Sequence, residues 1–371
     1  MSDHEQMRFD VDEDSDDEFY VTSDAEFPTT RYQGSKRKII EWLWEHISRL
    51  EFDSVLDVFG GTGAISHKAK KFNKRVIYND YLKFNHQIGL AIIENNEYVL
   101  TDEDVGFLLT DHGHLDYPSF IQDEFEDLYF TDEENAWLDR MHVNINELDN
   151  KYKQAIANSA LAQSSLAKRP YNLFHRANLY MRTKEVERSF GNKTTWEKSF
   201  PEHFKENVEE YNNGVFDNGR ENEAFNRDVM EWENPPESDL VYLDPPYYDR
   251  TKQNGATDYQ FYYHFLEGFL QYDEWPEMID DSVKTKRLHH EKSPWTDPDR
   301  IYDAFEQTFD KFADSHIVLS YNTAGLPTPE ELMDMLEARK ENVIVGAKEH
   351  QYALSTSEDS ADEVVFIAYD D

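Results

Sequence analysis

The 371-residue sequence predicts an α/β protein in which a mostly parallel, doubly wound sheet is interrupted by a long helical segment. Three observations carry that prediction. Short apolar runs alternate with helical patterns, as strands joined by crossover helices do. One run, Ser54-Val55-Leu56-Asp57-Val58, opens directly into the glycine-rich turn Phe59-Gly60-Gly61-Thr62-Gly63. A later run, Leu240-Val241-Tyr242-Leu243, stops at the stiff turn Asp244-Pro245-Pro246-Tyr247.

The elements follow in order. Residues 1–28 are acidic and poor in apolar side chains, which predicts a mobile extension. Between Lys36 and Leu50, Ile39, Ile40, Leu43, Trp44, Ile47 and Leu50 recur at helical spacing and predict an amphipathic helix. Strands are expected at about 54–58, 75–78, 240–243, 316–320 and 342–345, with a helix at 64–72 behind the glycine turn. Residues 84–219 carry helical patterns, Lys151 to Lys168 among them, and little strand signal. They read as a helical domain inserted between catalytic segments 29–83 and 220–371. The end of the chain, 342–351 followed by 363–369, reads as a hairpin at the sheet edge. No internal repeat is present.

The chemistry concentrates at the strand ends. Glycines 60, 61 and 63 let the backbone approach a ligand, and the helix behind them offers free N–H groups, so this corner suits a nucleotide. The next strand ends in Asn79-Asp80, about twenty residues on, where an acidic side chain suits a ribose diol. In Asp244-Pro245-Pro246-Tyr247, two prolines fix φ twice and bias Asp244 to extended geometry. A carboxylate, a proline carbonyl and an aromatic ring then stand ready, which is what an exocyclic amine on a flat base requires.

Four blocks in this order, Arg31-Tyr32-Gln33-Gly34-Ser35-Lys36, Asp57 to Gly63, Tyr78-Asn79-Asp80 and the 244–247 turn after a long insertion, resemble the alpha-group, Dam-like N6-adenine DNA methyltransferases. The resemblance spans roughly residues 29–371, with the middle matching least. It implies a Rossmann-like sheet using S-adenosylmethionine, and a helical DNA-recognition domain in the insert. Asp244, Pro245, Pro246 and Tyr247 become the catalytic residues. Cofactor contacts are implied for Tyr32, Gly34, Lys36, Asp57, Phe59, Gly60, Gly61, Gly63, Asp80, Asp228 and Asp244. Within that set the family pattern puts Lys36 on the methionine carboxylate, Asp57 near the amino group, Asp80 on the ribose and Asp228 facing the adenine. The implied reaction is direct transfer to the N6 amine of an adenine flipped from double-stranded DNA, without a covalent enzyme intermediate or a metal.

Composition bounds the alternatives. Cysteine is absent, which excludes disulfides, thiolate metal sites and the cysteine nucleophile of cytosine-C5 methyltransferases. No stretch is suited to span a membrane, and no basic-then-apolar leader opens the chain, so a cytoplasmic protein is expected. The formal charge of −40 is unusual for a DNA-binding protein and reads as adaptation to a high-salt cytoplasm. Cations gather locally: Lys168, Arg169, Arg176, Arg182, Lys184, Arg188, Lys193 and Lys198 interleave with aromatics and with Asn178, against Glu185, Glu187 and Glu197. A second island, Lys284 to Lys292, contains Lys286 and Arg287. Both read as DNA-binding segments. Its adjacent His289 and His290 lack a third ligand and give no metal site.

Within the class, an N4-cytosine enzyme would favour serine at 244, and an RNA adenine or protein amide substrate presents a similar planar amine. From other classes, an acidic DNA mimic leaves Lys36, Asp80 and Asp244 unexplained, and a nicotinamide dehydrogenase leaves the 244–247 turn unexplained. A cognate restriction endonuclease is an open companion, and the sequence sets no oligomeric state.

Overall fold

The computed structural model describes residues 23–184, 193–251, 255, 257–349 and 362–370. The acidic extension therefore lies largely outside the described residues. A one-turn 3₁₀ helix at Lys36–Lys38 leads into α1 (Ile40–Ile47), then β1 (Ser54–Asp57), α2 (Ala64–Lys71), β2 (Arg75–Asn79) and α3 (Lys83–Gly89), which continues as a π-helical turn at Leu90–Glu94. Helices follow: α4 (Asp102–Leu109), α5 (Phe120–Glu124), α6 (Asp132–Asn146), α7 (Lys151–Ala167), α8 (Tyr180–Thr183), α9 (Lys193–Glu197) and α10 (Phe200–Asn213). The chain then forms β3 (Glu223–Phe225), β4 (Leu240–Leu243), β5 (Tyr248–Asp249), α11 (Tyr259–Phe269), α12 (Trp275–Met278) and α13 (Ile301–Lys311). It ends with β6 (His316–Asn322), β7 (Gly325–Leu326), α14 (Pro329–Glu337), β8 (Asn342–Glu349) and β9 (Asp362–Tyr369). No described helix is long and apolar enough to cross a membrane.

The main sheet has the order β3-β2-β1-β4-β6-β9-β8. Its first five strands are parallel, while β9 runs antiparallel to both neighbours. The expected hairpin is present, with its second strand inserted between β6 and β8. Alternation of side chains along each strand divides the core in two. Val55, Val76, Tyr78, Leu240, Tyr242, Val318, Val365 and Ile367 face one layer with α1. Leu56, Ile77, Val241, Leu243, Ile317, Leu319 and Phe366 face the other with α13 and α14.

Two expectations change. Lys36 does not begin a continuous helix: the left-handed Gly34 (φ +87°) and the 3₁₀ turn come first, and α1 starts only at Ile40. Edge strand β3 was not expected, because three residues have no readable period; it pairs in parallel with β2, Ile77 opposite Glu223.

The helices between residues 84 and 219 pack against later parts of the chain. Buried residues of α6, α7 and α10 share one continuous hydrophobic cluster with the sheet face and with α11 and α12. Phe125 meets Phe265 and Trp275, and Phe174 stacks on Phe265 at 4.9 Å, so α11 and α12 pack against these helices although they follow the 244–247 turn. Three helices of the insert start with reciprocal caps: Thr101 with Asp104, Thr131 with Glu134, and Ser199 with Glu202. Acidic residues thereby satisfy helix N-termini, each cap contributing about 1 kcal/mol.

Candidate active site

Strand parity brings the acids together. Asp57 lies two residues beyond Val55, Asp80 two beyond Tyr78 and Asp244 two beyond Tyr242, so all three fall on the same sheet face at the carboxyl ends of adjacent parallel strands. The strand order reverses there, as in other ligand-binding α/β crevices. A cleft of about 1180 Å³ opens at this point. Tyr32, Gly34, Lys36, Asp57, Phe59, Gly60, Gly61, Asp80, Asp228 and the whole 244–247 turn line it.

The glycine loop is shaped by contact. The Tyr78 ring is slotted between Gly60 and Gly89, where an added Cβ would stand 2.1 or 2.4 Å from it. Gly61 and Gly63 have φ of +52° and +75°, and Gly63 caps α2. Asp80 is held by two backbone donors, Gly61 N and Leu82 N, each at 2.8 Å. Burial nevertheless pushes its carboxyl up to about 6. Asp57 accepts from Ser66 Oγ at 2.7 Å through Oδ2, while its buried Oδ1 has no hydrogen-bond partner. Burial pushes Asp57 up to about 7. Asp228 is half-buried and accepts from Met230 N at 2.9 Å.

In the 244–247 turn, Pro245 is buried, and Tyr247 meets Tyr321 edge to face at 5.8 Å. Lys36 Nζ lies 3.0 Å from Asp244 Oδ1 and 2.6 Å from Glu363 Oε1. The lysine expected at the methionine carboxylate is thus engaged with two protein carboxylates. Burial pushes Asp244 up to about 6, against the pull of Lys36. The Tyr32 ring stacks on Tyr263 and Tyr259 at 5.0 and 5.5 Å, forming one aromatic wall, and Phe59 meets Trp295 edge to face at 5.1 Å. Sequence reading missed Glu363, Tyr259, Tyr263 and the half-exposed cleft residue Tyr81. Only Glu363 had a signal, as an acid opening the apolar run Val364 to Ala368.

Residues 32–290 match the family described as D12 class N6 adenine-specific DNA methyltransferase. The chain belongs to this family. Among relatives, the type II methyltransferase M2.HphI of Haemophilus parahaemolyticus is 31% identical over 342 residues, covering 91% of this chain and 95% of the relative. The modification methylase LlaI of Lactococcus lactis subsp. lactis is 23% identical over 87% of this chain and 51% of its own length. For the type II methyltransferase M.FokI of Planomicrobium okeanokoites the identity is 25%, over 83% and 47%. The chain spans about half the length of these last two. Fold and enzyme class thus agree with the sequence reading.

For this D12 methyltransferase the expected DNA-binding cations divide. Arg169 is 1% exposed and donates to the carbonyls of Tyr129, Leu173 and Arg176 and to Asn178 Oδ1. Lys168 donates to the carbonyls of Trp196 and Lys198 and pairs with Glu134 at 2.8 Å. Arg182 forks onto both oxygens of the same Glu134 at 2.9 and 2.6 Å. Arg169, Lys168 and the buried Asn178, together with Arg182, are thus engaged within the fold. A chain so rich in acid satisfies its buried carboxylates and carbonyls with the few cations nearby. Arg176 and Lys184 are exposed; Arg188 lies outside the described residues, and Lys193 opens α9. In the second island Lys286 pairs with Glu124 and Asp281, and Arg287 with Asp280 at 3.3 Å.

Proposed function

We propose that the cleft between the glycine loop and the 244–247 turn transfers a methyl group from S-adenosylmethionine to the N6 amine of an adenine extruded from duplex DNA. The observation that carries this reading is the convergence of Asp57, Asp80 and Asp244 on one cleft wall beside Gly60 and Gly61. The residues suit the cofactor. The partnerless Asp57 Oδ1 is an acceptor in need of a donor, and the surplus of carboxylates over Lys36 favours a ligand carrying ammonium and sulfonium charge. Asp80, aligned by Gly61 N and Leu82 N, would hold the ribose diol; Tyr81 and Asp228 would flank the adenine, and Lys36, alongside its contacts with Asp244 and Glu363, would also meet the carboxylate.

S-adenosylmethionine supplies an electrophilic methyl group on sulfur. The protein prepares the nucleophile. With Asp244 Oδ1 turned to Lys36, Oδ2 and the Pro245 carbonyl accept the two N–H bonds of the target amine. Those bonds favour tetrahedral nitrogen and localise a lone pair otherwise delocalised into the ring. Tyr247, braced by Tyr321, stacks on the extruded base, since an amine inside the duplex cannot reach the cleft. The departing proton goes to water or Asp244.

Exposed Arg176, with Tyr171 and Tyr180 on the same Arg169-held segment, would meet DNA. The relatives' names include modification methylases, and a companion endonuclease of the same specificity belongs to this proposal. The test separates the two halves of the site. Asp80→Ala should weaken S-adenosylmethionine binding by about 1.5–3 kcal/mol, whereas Asp244→Ala should abolish transfer with cofactor binding largely retained. Unchanged cofactor affinity in the first variant, or near-parental turnover in the second, would remove the corresponding assignment.

A further inference from the structure

Glu363 lies beyond the 32–290 span that carries the family match, yet it contacts Lys36 of the cleft wall. It is fully buried on β9 and has the parity of Val365 and Ile367, whose face is apolar. Burying a carboxylate there costs more than burying a hydrocarbon of similar size, so packing alone does not call for it. Its Oε1 accepts from Lys36 Nζ and from Ser320 Oγ, both at 2.6 Å. Ser320 has the parity of Val318, so Asp244, Ser320 and Glu363 share one sheet face with Lys36 above them.

We propose that Glu363 is a positioning residue: it shares the Lys36 ammonium that also contacts Asp244, so that Asp244 stays a basic acceptor for the target amine. This rests on the assignment of Asp244 as that acceptor. One ammonium shared between two carboxylates neutralises each only in part. A lone Lys36–Asp244 pair would instead turn the whole ammonium charge on Asp244 and leave it a weaker base. The other groups around the triad are Asp57 at the end of β1, the phenols of Tyr242, Tyr247 and Tyr259, and Lys348, which lies opposite Glu363 in the β8–β9 register. The Lys348 ammonium sits 5.7 Å from the Trp42 ring centre, and α1 adds His46 beside Trp42. The negative field of Glu363 also raises the Asp244 carboxyl.

The test is a titration of the Asp244 carboxyl carbon by NMR in protein labelled at aspartate Cγ, with Asp244→Asn assigning the resonance, alongside the pH profile of kcat at saturating cofactor. Glu363→Gln keeps an acceptor for Lys36 and Ser320 but removes the charge. It should lower the Asp244 midpoint by roughly one pH unit and move the acid limb of kcat the same way. Glu363→Asp, which keeps the charge, should leave the midpoint near the parent's. Ser320→Ala is a second route if Glu363→Gln does not fold: without the hydroxyl, Glu363 pulls harder on Lys36, and the midpoint should rise. An Asp244 midpoint unchanged in Glu363→Gln and in Ser320→Ala overturns the positioning role while Asp244 keeps its own. Full turnover in Asp244→Asn removes the acceptor assignment, and the proposal with it.

Discussion

At the scale of single residues the site is governed by carboxylates whose burial favours the protonated form. Asp57 is raised to about 7 and Asp80 and Asp244 to about 6, against an unfolded value near 3.9. In the window from about 4 to 7 the folded apo protein therefore holds protons that the unfolded chain has released. Stability from these groups is fully present below about 4 and is lost as pH rises through 6 and 7. A cationic ligand works in the opposite sense, lowering the same midpoints. S-adenosylmethionine affinity is therefore expected to rise between about pH 5.5 and 7.5, by up to about tenfold per pH unit for each proton released. Calorimetry in buffers of different ionisation enthalpy reads that release directly; pH-independent binding with no proton exchange would contradict the burial argument. Asp57→Asn should flatten the upper part of the curve.

At the scale of elements, the segment from Lys168 to Tyr180 links the fold to the proposed DNA-binding surface. Tyr171 and Asn172 hold left-handed backbone, with φ of +66° and +55°, and Tyr171 is half exposed. That strain is sustained by Arg169, whose guanidinium ties together the carbonyls of Tyr129, Leu173 and Arg176 and lies over the Tyr129 ring. Arg169→Ala should destabilise the fold by about 3 kcal/mol or more, because several buried acceptors lose their donor at once. Arg176→Ala should change stability by no more than about 0.5 kcal/mol and weaken DNA binding by about 1–3 kcal/mol if it reads a base edge. Urea denaturation and filter binding on the two variants check this; equal DNA affinity for Arg176→Ala and parent would move the recognition surface to 284–292. Arg182→Ala should behave like Arg169→Ala in sign, since the partly buried Glu134 keeps Lys168 and the Thr131 N–H but loses the guanidinium fork.

At the scale of the molecule, 77 acidic residues face 37 basic ones, and several of those bases are spent inside the fold. Self-repulsion of such a surface is relieved when the Debye length shrinks to about 3 Å at molar salt. The protein is expected to unfold more readily on dilution into low-salt buffer and to bind DNA with a weak or inverted salt response, unlike a basic protein that releases counterions. Circular dichroism and filter binding across a potassium chloride series measure both. A stable fold with maximal DNA affinity at low salt would reject the high-salt reading.

The sequence by itself determined the strand-and-glycine frame, the acidic ends Asp57, Asp80 and Asp244, and the 244–247 turn, because each is a local pattern of period, turn chemistry and order. It also determined the enzyme class, since the order of those blocks is linear information. Only the tertiary structure decided which cations are buried: Arg169 and Arg176 look alike in sequence, and packing separates them. The same holds for Glu363, 327 residues from Lys36 and in contact with it only because β9 inserts beside β6. Burial and long-range pairing depend on how strands order in space, and no local pattern encodes that order.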